Sequence, residues 1–381
     1  MGKISDVSSG GTPSRNNEAY WNGNIPWVTT AEVQFKIIED TVEKITEEGL
    51  ANSSAKLFPA GTILMAMYGQ GKTRGQVAKL GIDASTNQAC AAIVLHTGYE
   101  VDFYYQFLIS QYENIREMAN SGGQQNLSGG IVKSIPVPVP PLTEQKKIAK
   151  ILSTWDKAIS VTEKLLTNSQ QQKKALMQQL LTGKKRLLDE NGVRFSGEWK
   201  QDVNLGSIIN ISKGVQINKN TLSEDGQFPV INGGIAPSGF TSEFNTDENT
   251  ITISEGGNSC GYVAFQKKSF WCGGHCYAVR KTALDLSFTF HLLKYNELKI
   301  MGLRVGSGLP NIQKKAIEAF TVNFPVTSVE QQKIAAVLSA ADDEIATLEK
   351  KLACLRDEKK ALMQLLLTGK RRVKVDEAVA E

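Results

Sequence analysis

The sequence predicts an α+β protein in which two strand-rich, mixed α/β domains alternate with two long helices. Three observations favour this fold class. A 44-residue segment occurs twice at an offset of 186 positions, both copies have the hydrophobic period of a coiled coil, and the stretches outside them are rich in glycine, asparagine and short β-like runs. We therefore divide the chain into a first domain, 1–143, a first spacer helix, 144–187, a second domain, 188–329, a second spacer helix, 330–373, and a tail, 374–381.

The repeat is clearest in the two helical segments. The motif Glu-Gln-x-Lys-Ile-Ala begins at Glu144 and again at Glu330, and the motif Leu-Leu-Thr-Gly-Lys begins at Leu180 and again at Leu366. Without any gap, 24 of the 44 aligned positions are identical. Chance does not produce this agreement, so the two segments are copies of one structural unit.

Apolar residues in both copies step by alternating four and three positions, which is the period of a coiled-coil seam. The predicted seam contains Ile148, Leu152, Trp155, Ile159, Leu166, Leu176, Leu180, Ile334, Leu338, Ile345, Leu348, Leu352, Leu355, Leu362 and Leu366. Both copies place a lysine in the same seam slot, Lys173 and Lys359, and both end at a glycine, Gly183 and Gly369. Each helix reaches roughly 60 Å. An antiparallel pair within one chain buries both seams most simply, and a parallel pair and pairing between chains are the alternatives.

The two domains also repeat each other. Residues 61–65 and 75–78 match residues 249–253 and 261–264, and Cys90 and Cys276 are again 186 positions apart. The loops between these runs differ. The lead-in of the second domain at 196–206 has no full counterpart before Ile4, which predicts either a shortened first strand or a misassigned start. Two related domains on a stiff spacer predict a partner with two separated contact sites. A DNA duplex, whose groove faces recur at each turn, is such a partner.

Composition narrows the class of protein. Hydrophobic residues make up 41% of the chain, no run of 18 apolar residues exists, and the start has no apolar signal core. Five cysteines do not imply a disulfide framework, so we expect a cytoplasmic protein with reduced thiols. The net charge is only +4, but residues 144–187 alone carry +7. This basic segment either faces phosphates or is a solvated helix face.

Several motifs resemble those of one family. Residues 10–14 (Gly-Gly-Thr-Pro-Ser) and 20–27 (Tyr-Trp-Asn-Gly-Asn-Ile-Pro-Trp) resemble the opening of a target-recognition domain of type I restriction–modification specificity subunits. The run Pro-Pro-Leu-x-Glu-Gln-x-x-Ile at 140–148 resembles the junction into that family's conserved helix, and residues 176–184 resemble the end of the helix. Together the motifs cover essentially the whole chain in the family's order of domain, helix, domain, helix.

This resemblance implies a non-catalytic, sequence-specific DNA-binding subunit. Each domain would read one half of a bipartite duplex target, and the paired helices would fix the gap between the halves. The helices would also dock two adenine-methyltransferase subunits, and two restriction subunits would join the complex. The resemblance implies no cofactor for this chain, since S-adenosylmethionine, ATP and magnesium belong to those partners. It also implies no membrane partner.

Candidate DNA contacts are loop residues that carry hydrogen-bond donors or acceptors, and for each the alternative is a solvated polar loop. In the first domain these are Gln70, Lys72, Thr73, Arg74, Gln124, Gln125 and Asn126. In the second domain they are Lys213, Gln216, Asn258, Lys267, Lys268, His275, Arg304, Asn311 and Gln313. Arginine and lysine suit guanine edges or phosphates, whereas glutamine and asparagine suit adenine.

Ala66-x-x-x-x-Gly71-Lys72-Thr73 nearly meets the P-loop pattern. A P-loop requires a helix next, whose N-terminus binds phosphate. Residues 74–81 instead indicate a turn and a second strand, so we interpret the segment as a glycine-rich hairpin loop. A nucleotide-binding enzyme centred on Lys72 is the least favoured alternative, and a coiled-coil scaffold without DNA binding is suggested by the weak net charge.

Two further short patterns resemble a metal site and a catalytic motif. Cys260, Cys272, His275 and Cys276 are a candidate zinc set, but their spacing departs from that of paired zinc knuckles, so we expect no metal. Residues 24–27 (Asn-Ile-Pro-Trp) only superficially resemble the Asn-Pro-Pro-aromatic motif of adenine methyltransferases. Because no glycine-rich cofactor loop accompanies them, we expect no catalysis by this chain.

Overall fold

A computed structural model describes residues 1–69, 71–120, 126–306 and 308–374, with the backbone alone at position 120. The chain forms two compact units. Unit 1 comprises residues 1–162 and 351–381, and unit 2 comprises residues 163–350. Each unit thus contains one strand-rich region and one part of each long helix, and the α+β fold class is confirmed. The finer domain boundaries proposed from the sequence stay a prediction.

In unit 1, two groups of four strands separated by a short helix precede a run of helices. The strands are β1 (Ser5–Ser9), β2 (Trp21–Val28), β3 (Ile37–Ile38), β4 (Glu43–Ile45), β5 (Ile63–Ala66), β6 (Val77–Leu80), β7 (Ser85–Thr86) and β8 (Cys90–Leu95). The helices are α1 (Glu47–Ala51), α2 (Val101–Ser110), α3 (Tyr112–Asn120), α4 (Gly129–Ser134) and the first part of α5 (Leu142–Leu180).

Unit 1 is built on a sheet of order β1-β8-β5-β6-β3, beside a smaller sheet of order β4-β2-β7. Both faces of β5 are covered. Ile63 and Met65 lie in a core with Tyr104 of α2, whereas Leu64 and Ala66 lie in a second core on the opposite face. Burial of both faces explains why this strand is a continuous apolar run rather than an alternating one.

Unit 2 repeats this plan. Its strands are β9 (Trp199–Asn204), β10 (Ile209–Lys213), β11 (Phe228–Ile231), β12 (Phe240–Thr241), β13 (Thr250–Ser254), β14 (Val263–Gln266), β15 (Trp271–Cys272), β16 (Cys276–Thr282) and β17 (Thr321–Pro325). Its helices are the last part of α5, then α6 (Leu286–Tyr295), α7 (Glu297–Met301), α8 (Lys314–Ala319) and the first part of α9 (Ser328–Leu366). The main sheet has the order β10-β16-β13-β14, beside sheets of order β12-β11-β15 and β17-β9.

Strand pairing fixes which positions of the two units are equivalent. In unit 1, Ser9 and Met65 are both partners of Ala91 on β8. In unit 2, Lys213 and Ile253 are both partners of Tyr277 on β16, which lies 186 positions after Ala91. Ser9 is therefore equivalent to Lys213, and Met65 to Ile253. It follows that Met67, two residues after Met65, is equivalent to Glu255.

The units differ at one edge. In unit 2, β9 and β17 form an antiparallel pair, but the described part of unit 1 has no strand paired with residues 135–139, which correspond to β17. Instead the Met1 ammonium donates to Ile135 O at 2.5 Å, and Gly2 N donates to Lys133 O at 2.9 Å. Unit 2 thus has a strand pair at this edge that the described part of unit 1 lacks.

Within each unit the long helices run antiparallel. In unit 1, Ile148 and Leu152 near the start of α5 share a core with Leu366 near the end of α9. In unit 2, Leu180 at the end of α5 shares a core with Ile334 near the start of α9. All of the predicted seam positions are buried or half-buried, whereas the neighbouring residues Val161 and Leu165 are exposed. Gly183 and Gly369 follow the helices with φ near +70°, as residues that end a helix do.

The repeat also places ion pairs at equivalent positions. In unit 1, the seam lysine Lys359 donates from Nζ to Asp156 Oδ1 at 2.6 Å. In unit 2, Lys173 is paired in the same way with Asp342, 186 positions after Asp156. Both seam lysines therefore have a carboxylate partner on the opposite helix.

Each helix is also held at its start by an arginine that follows the end of the other. Arg186 donates to Glu330 from Nε at 2.5 Å and from Nη2 at 2.7 Å in unit 2. Arg372 donates to Glu144 from Nε at 2.8 Å and from Nη2 at 2.6 Å in unit 1. We call these two bidentate ion pairs the helix-end clamps. Among the described residues no helix is both long and apolar enough to cross a bilayer.

Candidate nucleic-acid interface

Unit 2 contains an open cleft of about 580 Å³ at the end of β10 and β13. Four residues predicted from the sequence to contact DNA line it together, namely Lys213, Asn258, His275 and Asn311. Their segments are far apart in the chain, and the fold gathers them because β10, β13 and β16 pair side by side. The cleft therefore concentrates donors and acceptors on one concave surface.

A carboxylate that sequence reasoning missed lies in this cleft. Glu255 Oε1 accepts from Lys213 Nζ at 2.6 Å and from the Tyr277 hydroxyl at 3.3 Å, and Glu255 Oε2 lies 3.5 Å from His275 Nδ1. The Glu255 side chain is only 14% exposed, whereas Lys213 is 51% exposed. Burial and the nearby Glu255 charge raise the pKa of Tyr277 to about 12, so this hydroxyl stays a donor. The carboxylate is thus largely buried, whereas the Lys213 ammonium beside it is half exposed to solvent.

Backbone hydrogen bonds fix the two loops that flank this carboxylate. Ile312 N donates to Glu255 O at 2.8 Å, and Gly257 N donates to Pro310 O at 3.0 Å. Gly257 has a φ of +79°, a conformation that glycine adopts without the strain that a side chain would introduce. The loop with Asn258 and the loop with Asn311 are therefore joined by main-chain contacts, and their side chains are free to vary.

Unit 1 has a cleft of about 440 Å³ at the equivalent place. The same main-chain hydrogen bond is found beside it: Leu127 N donates to Met67 O at 2.9 Å, as Ile312 N donates to Glu255 O in unit 2. However, Ser9 replaces Lys213 and Met67 replaces Glu255. The first cleft is therefore lined by one charged side chain, Lys133, whereas Lys213 and Glu255 bring an ion pair into the second.

The predicted hairpin loop of unit 1 has the expected structure. β5 and β6 pair antiparallel, with Met65 opposite Val77, so a strand and not a helix follows the near-P-loop segment. Helix α3 holds this loop by its main chain, because Arg116 Nη2 donates to Gly71 O at 2.8 Å and the Tyr112 hydroxyl donates to Lys72 O. The Lys72 side chain stays exposed, whereas Thr73 and Arg74 are half-buried. Gln70, Gln124 and Gln125 lie outside the described residues.

Other predicted contact residues lie around the second cleft without lining it. Gln216 lies against Gly274, where its Oε1 leaves no room for a Cβ. Arg304 is exposed on the loop that leads to Asn311, and Gln313 is exposed at the N-cap of α8. Asn126, the equivalent of Asn311, is likewise exposed in unit 1. No comparison tests the DNA contacts of these residues, so they stay predictions.

Two predicted residues lie elsewhere. Gln266 on β14 is opposite Thr250, the first residue of β13, so Lys267 and Lys268 follow at the end of the sheet remote from Glu255. Lys267 instead lines a separate cavity of about 400 Å³ with His291 and Asp342. These two lysines and the cleft residues therefore do not form one surface patch.

The cysteines of the candidate zinc set are oriented towards different groups. Cys260 Sγ donates to Glu255 O at 2.9 Å, whereas Cys272 Sγ donates to Cys276 O at 3.6 Å. Within the part of the chain that the structure describes, no group of three or more histidine, cysteine, aspartate or glutamate side chains is placed to hold a metal ion.

Comparison with known proteins identifies the family to which this repeated fold belongs. The family model described as the type I restriction modification DNA specificity domain matches residues 1–168 and 197–355. The chain belongs to this family. Each of the two matched regions covers one strand-rich region and a long stretch of the helix that follows it, so the family unit corresponds to the internal repeat.

Curated relatives carry the same description. A putative type I specificity subunit of Mycoplasma pneumoniae is 36% identical over 160 residues, or 40% of this chain and 42% of that protein. The EcoR124I/EcoR124II specificity subunit of Escherichia coli is 30% identical over 172 residues, or 43% of this chain and 42% of that protein. A putative specificity subunit of Methanocaldococcus jannaschii is 31% identical over 271 residues, or 66% of this chain and 63% of that protein. The matches to the first two relatives thus span about two fifths of their length.

Solved structures agree with the fold. The S subunit of a type I restriction–modification system from M. genitalium superposes with a TM-score of 0.69 at 20% identity, covering 96% of this chain and 94% of that one. A chain from a study of complex assembly in a type I system superposes with a TM-score of 0.55 at 17% identity, covering 96% of each chain. At these identities the likeness establishes the architecture and leaves the individual contacts open.

Proposed function

We propose that this chain is the DNA-recognition subunit of a type I restriction–modification complex and that each cleft contacts one half of a bipartite duplex target. The observation that carries the proposal is the pair of equivalent clefts with unlike linings. A frame that is repeated while its exposed side chains change suits a protein that holds two different sequences in the same way. Family membership supports the same conclusion.

The cleft side chains match the chemistry of base edges. Asparagine and glutamine pair with adenine, lysine and arginine with guanine or phosphate, and carboxylates with the cytosine amine. Lys213 in the second cleft and Lys72 on the hairpin loop of unit 1 are exposed and suit phosphates or guanine, whereas Asn258 and Asn311 in the second cleft suit adenine. Direct base contacts specify a sequence, and phosphate contacts fix the register of the protein on the duplex.

The chain itself performs no chemistry under this proposal. Two adenine-methyltransferase subunits and two restriction subunits join it and bind S-adenosylmethionine, ATP and magnesium. The long helices dock the methyltransferase subunits and set the spacing between the half-sites. Each long helix has 39 residues, and part of each belongs to unit 1 and part to unit 2. Both facts support this role as a ruler.

The length of the helices offers a direct test. The equivalent ion pairs of Asp156 with Lys359 and of Lys173 with Asp342 place the midpoint of the paired helices near residues 164 and 350. Deletion of residues 161–167 together with 347–353 removes one heptad from each helix and retains both ion pairs. Seven residues rise about 10 Å, which corresponds to about three base pairs of duplex. We expect a methylated motif with the same half-sites and a gap changed by about that amount.

A matched control keeps the helix length. Val161 and Leu165 lie in the deleted segment and are exposed, so their replacement by alanine leaves the paired seam intact. This variant should methylate the original motif. An unchanged gap in the deletion variant, with methylation retained, would contradict the ruler role.

A further inference from the structure

We infer that Glu255 determines base specificity in the second cleft and that its carboxylate accepts a hydrogen bond from the exocyclic amine of a cytosine in the target duplex. This inference rests on the proposed function, because it assigns a role within the DNA interface of unit 2. It concerns a residue that neither the family match nor the sequence motifs single out.

The first argument is that the carboxylate is pre-organised. Lys213, Tyr277 and His275 surround it at 2.6, 3.3 and 3.5 Å, and the side chain is largely buried at the base of the cleft. The Tyr277 hydroxyl also lies 3.1 Å from Ile312 O, so its single proton is given either to that carbonyl or to Glu255 Oε1, and both contacts fix the position of the ring. A carboxylate held in this way does not need to be ordered when DNA binds, which lowers the entropic cost of a contact.

The second argument is that the frame does not require a carboxylate at this position. In unit 1 the equivalent residue is Met67, and the same main-chain bonds form there, from Met67 N to Ala89 O and from Leu127 N to Met67 O. Their counterparts in unit 2 run from Glu255 N to His275 O and from Ile312 N to Glu255 O. Since the fold forms equally around methionine, the charge of Glu255 serves something other than the fold.

The third argument comes from the sign of the charge. DNA presents phosphates, which an acidic group repels, so a carboxylate in a DNA-binding cleft weakens non-specific binding. An ionised carboxylate can only accept hydrogen bonds. It therefore favours a donor on a base edge, and the cytosine amine is the donor that carboxylates contact in the major groove. Lys213, paired with Glu255 at 2.6 Å, offsets the repulsion and leaves selectivity as the net effect.

The test compares methylated motifs in the source cell after replacement of the chromosomal gene. Glu255→Gln keeps the shape of the side chain and introduces an amide that suits adenine. In the wild type we expect cytosine to be required at one position of one half-site. The variant should reduce the preference for cytosine over adenine there by about tenfold, as measured from the methylated fraction of sites carrying each base. The other half-site should be unchanged.

Two further variants make the outcome decisive. Glu248→Gln replaces an exposed glutamate that precedes the opposite end of β13, and it should leave the motif unchanged. Glu255→Met introduces the side chain that unit 1 tolerates at the equivalent position, and it should lose the cytosine preference without gaining one for adenine. If both Glu255 variants retain the original motif, the inference is wrong while the proposed function stands.

Other results would also decide against the assignment. Loss of all methylation in both Glu255 variants would make Glu255 a structural residue and overturn its role in specificity. A change in both half-sites would equally overturn it, since Glu255 lies in unit 2 alone. Absence of any bipartite motif in the wild type would instead contradict the proposed function itself.

Discussion

Replacement of Arg186 by alanine should destabilise unit 2 far more than replacement of Arg372 destabilises unit 1. The two arginines occupy equivalent positions in the repeat and form the same bidentate pair, with Glu330 and Glu144 respectively. They differ in access to water, because the side chain of Arg186 is 19% exposed and that of Arg372 is 67% exposed. Arg186 also donates from Nη2 to Gly197 O at 2.9 Å and lies over the ring of Trp199, so burial and these two contacts act in the same direction.

The expected magnitude follows from the state of the carboxylate that remains. Glu330 is 1% exposed, so the alanine variant leaves a charge that neither the arginine nor bulk water solvates. Breaking a buried ion pair in this way costs about 3–5 kcal/mol. Glu144 is 5% exposed, but the arginine that covers it is 67% exposed, so water reaches the carboxylate once Arg372 is truncated and the loss there should be smaller. The double variant Arg186→Ala with Glu330→Gln removes the buried charge and should recover part of the stability.

Hydrogen exchange measured by mass spectrometry reads the two units separately. Peptides from β13 and β16 should show an opening free energy lowered by about 3–5 kcal/mol in Arg186→Ala, whereas peptides from β5 and β8 should be unaffected. Lys184→Ala, which alters a neighbouring exposed lysine, serves as the control. Equal effects of the Arg186 and Arg372 variants on their own units, or an effect of Arg186→Ala below about 0.5 kcal/mol, would refute the reasoning.

Two further predictions concern charge in the two units. Burial lowers the pKa of His291 from its ordinary value of 6.5 to about 4. As the pH falls, the unfolded chain therefore binds a proton on His291 before the folded chain does. Unit 2 should lose about 3 kcal/mol of stability between pH 6.5 and pH 4. Gln106 occupies the matching place in unit 1, where its Nε2 donates to Asp156, as His291 lies beside Asp342 in unit 2. His291→Gln should therefore remove this dependence in a pH series of hydrogen exchange, and a persisting dependence would exclude His291 as its source. Lys72 is exposed on the hairpin loop, and Lys72→Ala should weaken DNA binding by the assembled complex uniformly across sequences and reduce the salt slope by about one. An unchanged slope would remove Lys72 from the phosphate contacts.

The helices and the repeat were predictable because they depend on local periodicity. Steps of three and four positions identified a seam whose residues are all at least half-buried. The offset of 186 also relates Arg186 to Arg372, but only the structure pairs each of them with a glutamate of the other helix. The hairpin after β5 was predictable because glycines and a second apolar run exclude a P-loop helix. In each case residues close together in the sequence determine the structure.

The candidate site was less predictable because it depends on strand pairing over long distances. Lys213, Glu255 and His275 meet only because β10, β13 and β16 are neighbours, and no short motif surrounds Glu255. Its one sequence signal is the alignment of the two domains, which places a glutamate opposite Met67. Lys267 and Lys268 appeared equally suitable as loop cations, but the antiparallel pairing of β13 and β14 puts them at the other end of the sheet.

The measurement that tests the central claim most directly is the methylome of the source cell with and without this gene. The proposed function predicts that deletion abolishes adenine methylation at one motif made of two short, different half-sites around a fixed gap, and that a plasmid copy of the gene restores it. The same adenine methylation in the wild-type and deletion strains, with the partner methyltransferase expressed and active, would contradict a role of this chain in DNA recognition.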